Sequence, residues 1–373
     1  MRYYFIAGEA SGDMHAANCI KNIYLFDANA EFAFTGGDQM KAITNKTPDI
    51  HITQMNFMGF IDVLKHIKII KQNFKTVKQS ILNFKPDVLI LVDYPGFNLR
   101  MAKWAFENGI KVDYYISPTV WAWKEGRVEI IKKYVKQLFV ILPFEKQFYE
   151  KHNYKAHFLG HPLLDAIENK RKDLKKIEEF IRDNKLNNQP IIAVLPGSRL
   201  QEINHMLKIM IKVRTNFKEY QFVIAGTNTL PQSVYKLALD NNIKVVFNQT
   251  YDLLNLAEAG IIKSGTSTLE TALFKLPQVV CYKAGALSIK IAKFFVNIKF
   301  ISLPNLIMDK PIVKELIQAD FSVNNITNEL NLLLKNKEYR NNQIKEYENL
   351  INFLGGAGAS NKIAKQIVED IAK

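Results

Sequence analysis

The chain holds little sulfur, no long apolar run and no concentration of acidic residues. Of its 373 residues only Cys19 and Cys281 are cysteines. Both sit in apolar-periodic stretches with no C-x-x-C spacing. A disulfide scaffold is excluded, and buried free thiols in a reducing compartment are expected. No window of 18 uncharged apolar residues occurs, so a spanning helix is not expected. The N-terminus, MRYYFIAGEASGD, opens as a strand and a loop and leaves no room for a secretory leader. Absent too are G-x-x-x-x-G-K-[ST], the cradle for phosphoryl transfer from ATP, and G-x-S-x-G, the elbow of an esterase.

What is abundant is lysine. There are 50 basic against 36 acidic residues, a formal charge of +14, and only eight of the basic residues are arginine. Asparagine is plentiful as well. Compositional bias and attraction to an anionic surface both fit this pattern. Nucleic acid does not: the lysines are spread along the chain, and neither an arginine-rich run nor a recognisable nucleic-acid motif accompanies them.

The length suggests two domains. Apolar strands alternate with helical patterns throughout, the rhythm of a parallel sheet covered on both faces. Strands are expected at Tyr3–Ala7, Glu31–Thr35, Val88–Val92, Val112–Ile116 and Gln137–Ile141. A second set is expected at Ile191–Leu195, Gln221–Ala225, Lys244–Phe247, Gly260–Ile262 and Gln278–Tyr282. Helices are expected at Ala16–Phe26, Phe60–Phe84 and Leu99–Glu107, then a lysine-rich one from Arg171 to Lys185. Beyond Pro311 the pattern reads as helical to the end, broken by Gly-Gly-Ala-Gly at 355–358. The expected architecture is α/β: two doubly wound Rossmann-like domains, 1–170 and 171–350, facing a cleft, with a helical tail at 351–373. Ligands bind where strands end at their carboxyl side, so the loops at those points carry the chemistry.

Two of these loops suit an anion. IIAVLPGSR at 191–199 is a strand and tight turn that runs straight into a helix, with Gly197, Ser198 and Arg199 at its start. Free N–H groups, the positive helix end and a guanidinium then converge on one point. Ser198 can cap that helix, with Gln201 at capping-box spacing. A similar turn at 261–270 brings Gly265, Thr266, Ser267 and Thr268. There Glu270 can either complete a capping box with Ser267 or accept hydrogen bonds from ribose hydroxyls. No D-x-D pair occurs, so metal is not expected to carry a diphosphate, and no cofactor is implied.

The loop after the first strand, Gly8-Glu9-Ala10-Ser11-Gly12-Asp13, is too acidic for phosphate and suits a sugar hydroxyl better, or else is a capped turn. Asp93 ends the strand Val88–Val92 and could take a proton from an attacking hydroxyl. On position alone a turn aspartate bonded to local N–H groups is the better fit, and Asn98 can cap the helix that follows. His161, in Gly-His-Pro, is read either as a cleft contact or as a packing and capping group. Leu287–Lys299 splits into a basic face with Lys290 and Lys293 and an apolar face with Phe294 and Phe295. That pattern fits a helix lying on a membrane or one packed on its own sheet. Met55–Phe60, including Met58 and Gly59, offers apolar side chains to an acyl chain or to ordinary packing.

Ten motifs in order resemble the lipid-A-disaccharide synthase family: GEASGD at 8–13, Met58-Gly59, VDYPGFN at 92–98, SPTVWAWKEGRV at 117–128, LPFEKQFY at 142–149, GHPLLDA at 160–166, LPGSR at 195–199, SGTSTLE at 264–270, SLPNL at 302–306 and VKELIQ at 313–318. The resemblance implies the two-domain B-type glycosyltransferase fold. It implies metal-free, inverting transfer of 2,3-diacylglucosamine from its UDP derivative to 2,3-diacylglucosamine 1-phosphate, forming a β-1,6 disaccharide and UDP. It casts Asp93 as base, Arg199 as diphosphate partner, Glu270 as ribose partner and Asn305 as a donor contact. The acceptor falls to the first domain, near Glu9, Ser11, Gly12, Asp13, Met58, Gly59 and His161, with Lys124 and Arg127 as candidates for its phosphate. The enzyme is expected to be cytoplasmic and peripheral on an anionic membrane. Its C-terminal helices would return to an N-terminal domain, its own or that of a second subunit in a homodimer. One departure is Asp38-Gln39, where Pro-Arg or similar is expected. The rival readings are a UDP-sugar 2-epimerase on the same scaffold and a non-catalytic basic binder of membranes or nucleic acid.

Overall fold

The computed structural model describes residues 1–55, 66–122, 125–283 and 299–373. Among these residues the strands form two six-stranded sheets in which every pairing is parallel. The first runs β2-β1-β3-β4-β5-β6, from β1 (Arg2–Ala7), β2 (Glu31–Thr35), β3 (Val88–Val92), β4 (Lys111–Tyr115), β5 (Gln137–Val140) and β6 (Ala156–Phe158). The second runs β12-β11-β10-β7-β8-β9, from β7 (Ile191–Leu195), β8 (Gln221–Gly226), β9 (Lys244–Phe247), β10 (Ala259–Lys263), β11 (Gln278–Tyr282) and β12 (Lys314–Ile317). The chain divides into two compact units, residues 1–165 with 355–373, and residues 166–354.

The central strands VLILV and IIAVL are buried throughout, as strands covered by helices on both faces must be. Alternate side chains feed opposite layers. In β1, Tyr4 and Ile6 join one layer while Tyr3 and Phe5 join the other. In β7, Ile192 and Val194 face one layer and Ile191, Ala193 and Leu195 the other. Cys19 and Cys281 are buried free thiols.

The helix Ala359–Ile371 belongs to the first unit and packs on the helix Ala10–Ile23. Its Ile363, Ala364, Ile367 and Val368 enter the layer that holds Tyr3 and Phe5. Asp165 holds the start of this helix, its carboxylate accepting from the backbone N–H of Gly358 and, at 2.7 Å, of Ser360. Gly358 has φ +100°, so glycine suits the turn before the helix.

Four expectations need correction. The stretch after Pro311 is not all helical, because KELI forms β12. This edge strand is half exposed and poor in β-formers, and its pairing with β11 decides its conformation. The strand β6, three residues on the other sheet's edge, escaped notice for the same reason. The lysine-rich helix expected from Arg171 to Lys185 is only Ile177–Asn184; Arg171 ends a separate helix, Pro162–Arg171, and Lys175 N–H between the two donates to Asp252 at 2.9 Å. The first helix starts at Ala10, so Ser11, Gly12 and Asp13 are helical. Of the expected Phe60–Phe84 helix, Ile67–Phe84 is observed and the rest lies outside the described residues.

Candidate functional site

Each sheet reverses its strand order at one point, between β1 and β3 in the first and between β7 and β10 in the second. Loops diverge there to opposite faces and leave a crevice at the carboxyl ends. Both anion-suited turns fall at the second reversal. Leu195 pairs with Ile262, 67 positions further along the chain, so the turns that follow start side by side. Gly197 and Gly265 have φ of +112° and +152°, backbone that disfavours any side chain.

A cavity of about 390 Å³ lies between these turns, and Gly197, Ser198, Arg199, Gly265, Thr266, Ser267 and Glu270 all line it. Glu202, Thr227, Thr250 and Lys263 line it too. None of these four was singled out in the sequence, although Lys263 and Thr227 stand at strand carboxyl ends and could have been found by position.

Local capping differs from expectation in both turns. The first helix begins at Leu200 with Arg199 as N-cap residue. Glu202, not Gln201, folds back: its Oε2 accepts from the N–H of Ser198 (3.2 Å) and of Arg199 (3.4 Å). Its Oε1 accepts from Lys263 Nζ at 2.7 Å. The Arg199 side chain is 62% exposed. In the second turn Gly265 is the N-cap residue and Thr268 Oγ1 donates to its carbonyl at 2.8 Å. Glu270 sits too deep in the helix to complete a box with Ser267. It faces the cavity and accepts from the Tyr251 hydroxyl at 2.9 Å. Burial raises its carboxyl above the ordinary value, and the Tyr251 bond partly offsets that.

Two expected contacts are not brought here. Thr268 is fully buried, its hydroxyl bonded to the Gly265 carbonyl and to the N–H of Leu303. Asn305 is buried with its amide engaged by Val313 N–H and C=O and by Glu315. It borders a different cavity. A larger cavity, about 740 Å³, is lined by Lys208, Lys212, Gln221 and Lys244 among others. It borders the amino ends of β8 and β9, the wrong edge of a parallel sheet for a ligand.

At the first reversal Ala7 pairs with Val92, which brings Glu9 and Asp93 to neighbouring strand ends. Asp93 and Tyr94 both have φ +47°. Each left-handed non-glycine residue costs roughly 1–2 kcal/mol, and the surroundings hold both in place. Asp93 N–H donates to Tyr115 C=O at 3.0 Å, and Asp93 C=O accepts from Tyr114 Oη (2.6 Å) and Asn98 Nδ2 (2.8 Å). Asn98 is therefore a buried tie between strand ends rather than a helix cap. A Cβ on Gly8 would lie 2.3 Å from the Tyr94 ring, so only glycine leaves Tyr94 its place. Burial, and then the charge of Glu9, push the Asp93 carboxyl up to about 6, against the Tyr94 backbone bond that lowers it.

Asp13 turns inward instead of toward a ligand. Its carboxylate accepts from Gly37 N–H (2.8 Å), Gln39 N–H (2.9 Å) and Met40 N–H (3.3 Å), so it holds the start of the helix Asp38–Thr44, which opens with Asp38-Gln39. Gly12 is buried with it, while Glu9 is half-buried and Ser11 exposed. His161 is buried and caps the helix after it, its Nδ1 accepting from Leu163 N–H at 3.2 Å. Burial and the neighbouring His15 bring its pKa down to about 3. His157, four residues before it, is on β6. Among the described residues no group of three or more His, Cys, Asp or Glu is placed to hold a metal. Met58, Gly59, Lys124, Lys290, Lys293, Phe294 and Phe295 lie outside the described residues. Arg127 begins the helix Arg127–Tyr134.

Two parallel sheets, each with its ligand-suited loops at the strand-order reversal, define the two-domain B-type fold of nucleotide-sugar enzymes. Solved structures share it: UDP-GlcNAc 2-epimerase from Neisseria meningitidis bound to UDP-GlcNAc has a TM-score of 0.69 at 15% identity, over 100% of both chains. The Methanocaldococcus jannaschii UDP-GlcNAc 2-epimerase, solved with UDP-GlcNAc and UDP, has a TM-score of 0.66 at 13% identity, over 99% of this chain and 100% of that one. At such identities the likeness concerns the fold. Sequence carries the rest. The signature of the lipid-A-disaccharide synthetase family matches residues 3–371. A lipid-A-disaccharide synthase of Coxiella burnetii (strain CbuG_Q212) is 35% identical over 366 residues, covering 97% of this chain and 96% of its own. One from Geobacter sulfurreducens is 32% identical over 379 residues, covering 100% and 98%. The chain belongs to the lipid-A-disaccharide synthase family, and it is a glycosyltransferase.

Proposed function

We propose that the chain transfers 2,3-diacylglucosamine from its UDP derivative to the 6-hydroxyl of 2,3-diacylglucosamine 1-phosphate. The carrying observation is that each sheet's reversal point holds one half of the required chemistry: a guanidinium beside two helix starts that line one cavity in one unit, and a carboxylate of raised pKa in the other. The donor's diphosphate rests against residues 197–199 with the Arg199 guanidinium, and its ribose hydroxyls donate to Glu270. Asp93 takes the proton of the acceptor hydroxyl as that oxygen bonds to the anomeric carbon from the face opposite UDP. The bond to the diphosphate oxygen breaks, its electron pair leaves with UDP, and the configuration inverts. Arg199 and the helix ends at 198 and 266 stabilise that growing charge, and no metal or cofactor is called for. Both substrates carry acyl chains, so the enzyme works at the cytoplasmic face of a membrane. No helix among the described residues is long and apolar enough to cross one.

The test is product mass: purified chain with both lipids in detergent should yield disaccharide 1-phosphate and UDP. Donor alone should yield no 2-epimer, and an epimer without disaccharide would overturn the reading. Titration separates the donor contacts. Arg199→Met should weaken UDP roughly tenfold to a hundredfold, the worth of a charge-assisted hydrogen bond, and leave uridine unchanged. Glu270→Gln should weaken UDP and uridine alike, by about tenfold. Equal losses of uridine in both variants would remove the division of roles.

A further inference from the structure

Building on that donor site, we propose that Lys263 is a second cationic ligand of the donor diphosphate and that Glu202 is an internal anion occupying the diphosphate position until the donor arrives. The argument starts from the donors around one carboxylate. Glu202 Oε2 accepts from two backbone N–H groups at the start of the 13-residue helix Leu200–Lys212, at 3.2 and 3.4 Å. Its Oε1 accepts from Lys263 Nζ at 2.7 Å and lies 3.9 Å from Arg199 Nη1. Two N–H groups, an ammonium and a guanidinium form the donor set a phosphate would use.

A back-folded glutamate at this helix position is commonly only a cap. Three observations set this one apart. Lys263 comes from the end of β10, a different element, and has no part in capping the helix. The side chains of Lys263 and Glu202 are only 16% and 17% exposed, yet both line the same cavity as Arg199. A Cβ on Gly197 would lie 2.4 Å from Glu202 Oε2, so the carboxylate is seated in space left by a glycine of the anion-suited turn.

Lys263 is also placed to change partners. Its Nζ lies 3.7 Å from where a Cβ on Gly265 would be, at the start of the helix Thr266–Leu273. It therefore stands between the two turns. A diphosphate brings more charge and more acceptor oxygens than one carboxylate, so it wins Lys263 and the N–H groups of Ser198 and Arg199, and Glu202 rotates out. Without donor, Glu202 keeps two cations and two N–H groups from lying unpaired in a cavity.

The roles predict opposite signs, measured by calorimetric titration of the full chain with UDP and with uridine. Lys263→Met should weaken UDP roughly tenfold to a hundredfold. Glu202→Gln, which removes the competing charge but keeps a side chain able to bond an N–H, should tighten UDP by several-fold. Uridine affinity should stay unchanged in both, and this also reports an intact site. Weaker UDP binding by Glu202→Gln with uridine unchanged makes Glu202 a plain cap and overturns the stand-in role. Unchanged UDP affinity in Lys263→Met overturns the ligand role. If the unsubstituted chain binds no UDP, the donor site itself is wrong; if it binds UDP and only the variants disobey, this inference alone falls.

Discussion

Asp93→Asn should lower turnover by about 10²–10⁴-fold, the usual worth of a general base, and leave UDP affinity as it was. The substitution keeps the side chain's size and removes its ability to hold a proton. The same carboxylate fixes the pH profile. Its pKa is about 6, raised by burial first and by the charge of Glu9 second. A base must be deprotonated, so kcat/KM should rise with pH through about 6 rather than near the ordinary aspartate value of about 4. Glu9→Gln should move that rise to lower pH by removing the second cause. The fold binds this proton more tightly than the unfolded chain does, so Asp93 withdraws stability as pH rises from about 4 to 6. The Asn variant should therefore be no less stable than its parent at neutral pH, and lost activity cannot be laid to unfolding. Turnover within threefold of the parent, or an acid limb that ignores Glu9→Gln, would remove Asp93 from the role of base.

Asp165→Ala should detach the C-terminal helix. The carboxylate accepts from two backbone N–H groups, of Gly358 and Ser360, at a helix start where the helix itself offers them no acceptor. Hydrogen bonds to a charged group contribute about 1.5–3 kcal/mol each. Losing both should cost about 3–6 kcal/mol, a large fraction of the stability of an ordinary domain. The cost is local, so hydrogen exchange reads it better than a melting curve. Amides of Ala359–Ile371 should lose protection, along with those of the helix Ala10–Ile23 beneath. Amides of β7 and β10 in the other unit should keep theirs. Asp165→Asn, with one oxygen left to accept, should fall between. Unchanged protection at 359–371 in the Ala variant would mean that Ile363, Ala364, Ile367 and Val368 hold the helix alone.

The central strands were legible because burial on both faces writes a plain apolar run, as in VLILV and IIAVL. The edge strands β6 and β12 were not, since half-exposed strands depend on a neighbour for their conformation. The site shows the same divide. Gly197, Arg199 and Glu270 could be named because a strand, a turn and a helix start are local events. Asn305 was placed at a ligand by the family resemblance, and Asp13 because its residue type and loop suit a sugar hydroxyl. In the structure Val313 and Glu315 engage the first, and the N–H groups at the start of the helix Asp38–Thr44 engage the second. A polar residue's type says what it can bond, whereas its partners depend on which segments the sheet order brings near.

By itself the sequence determined two parallel αβ units, the turns at their strand ends and, through ten ordered motifs, the family. Local propensity and burial pattern act within a dozen residues, so one dimension is enough to read them. Only the tertiary structure decided that β7 lies against β10 and β1 against β3. That choice seats Lys263 on Glu202 and brings Glu9 near Asp93, because charges couple through space and fade within several ångströms.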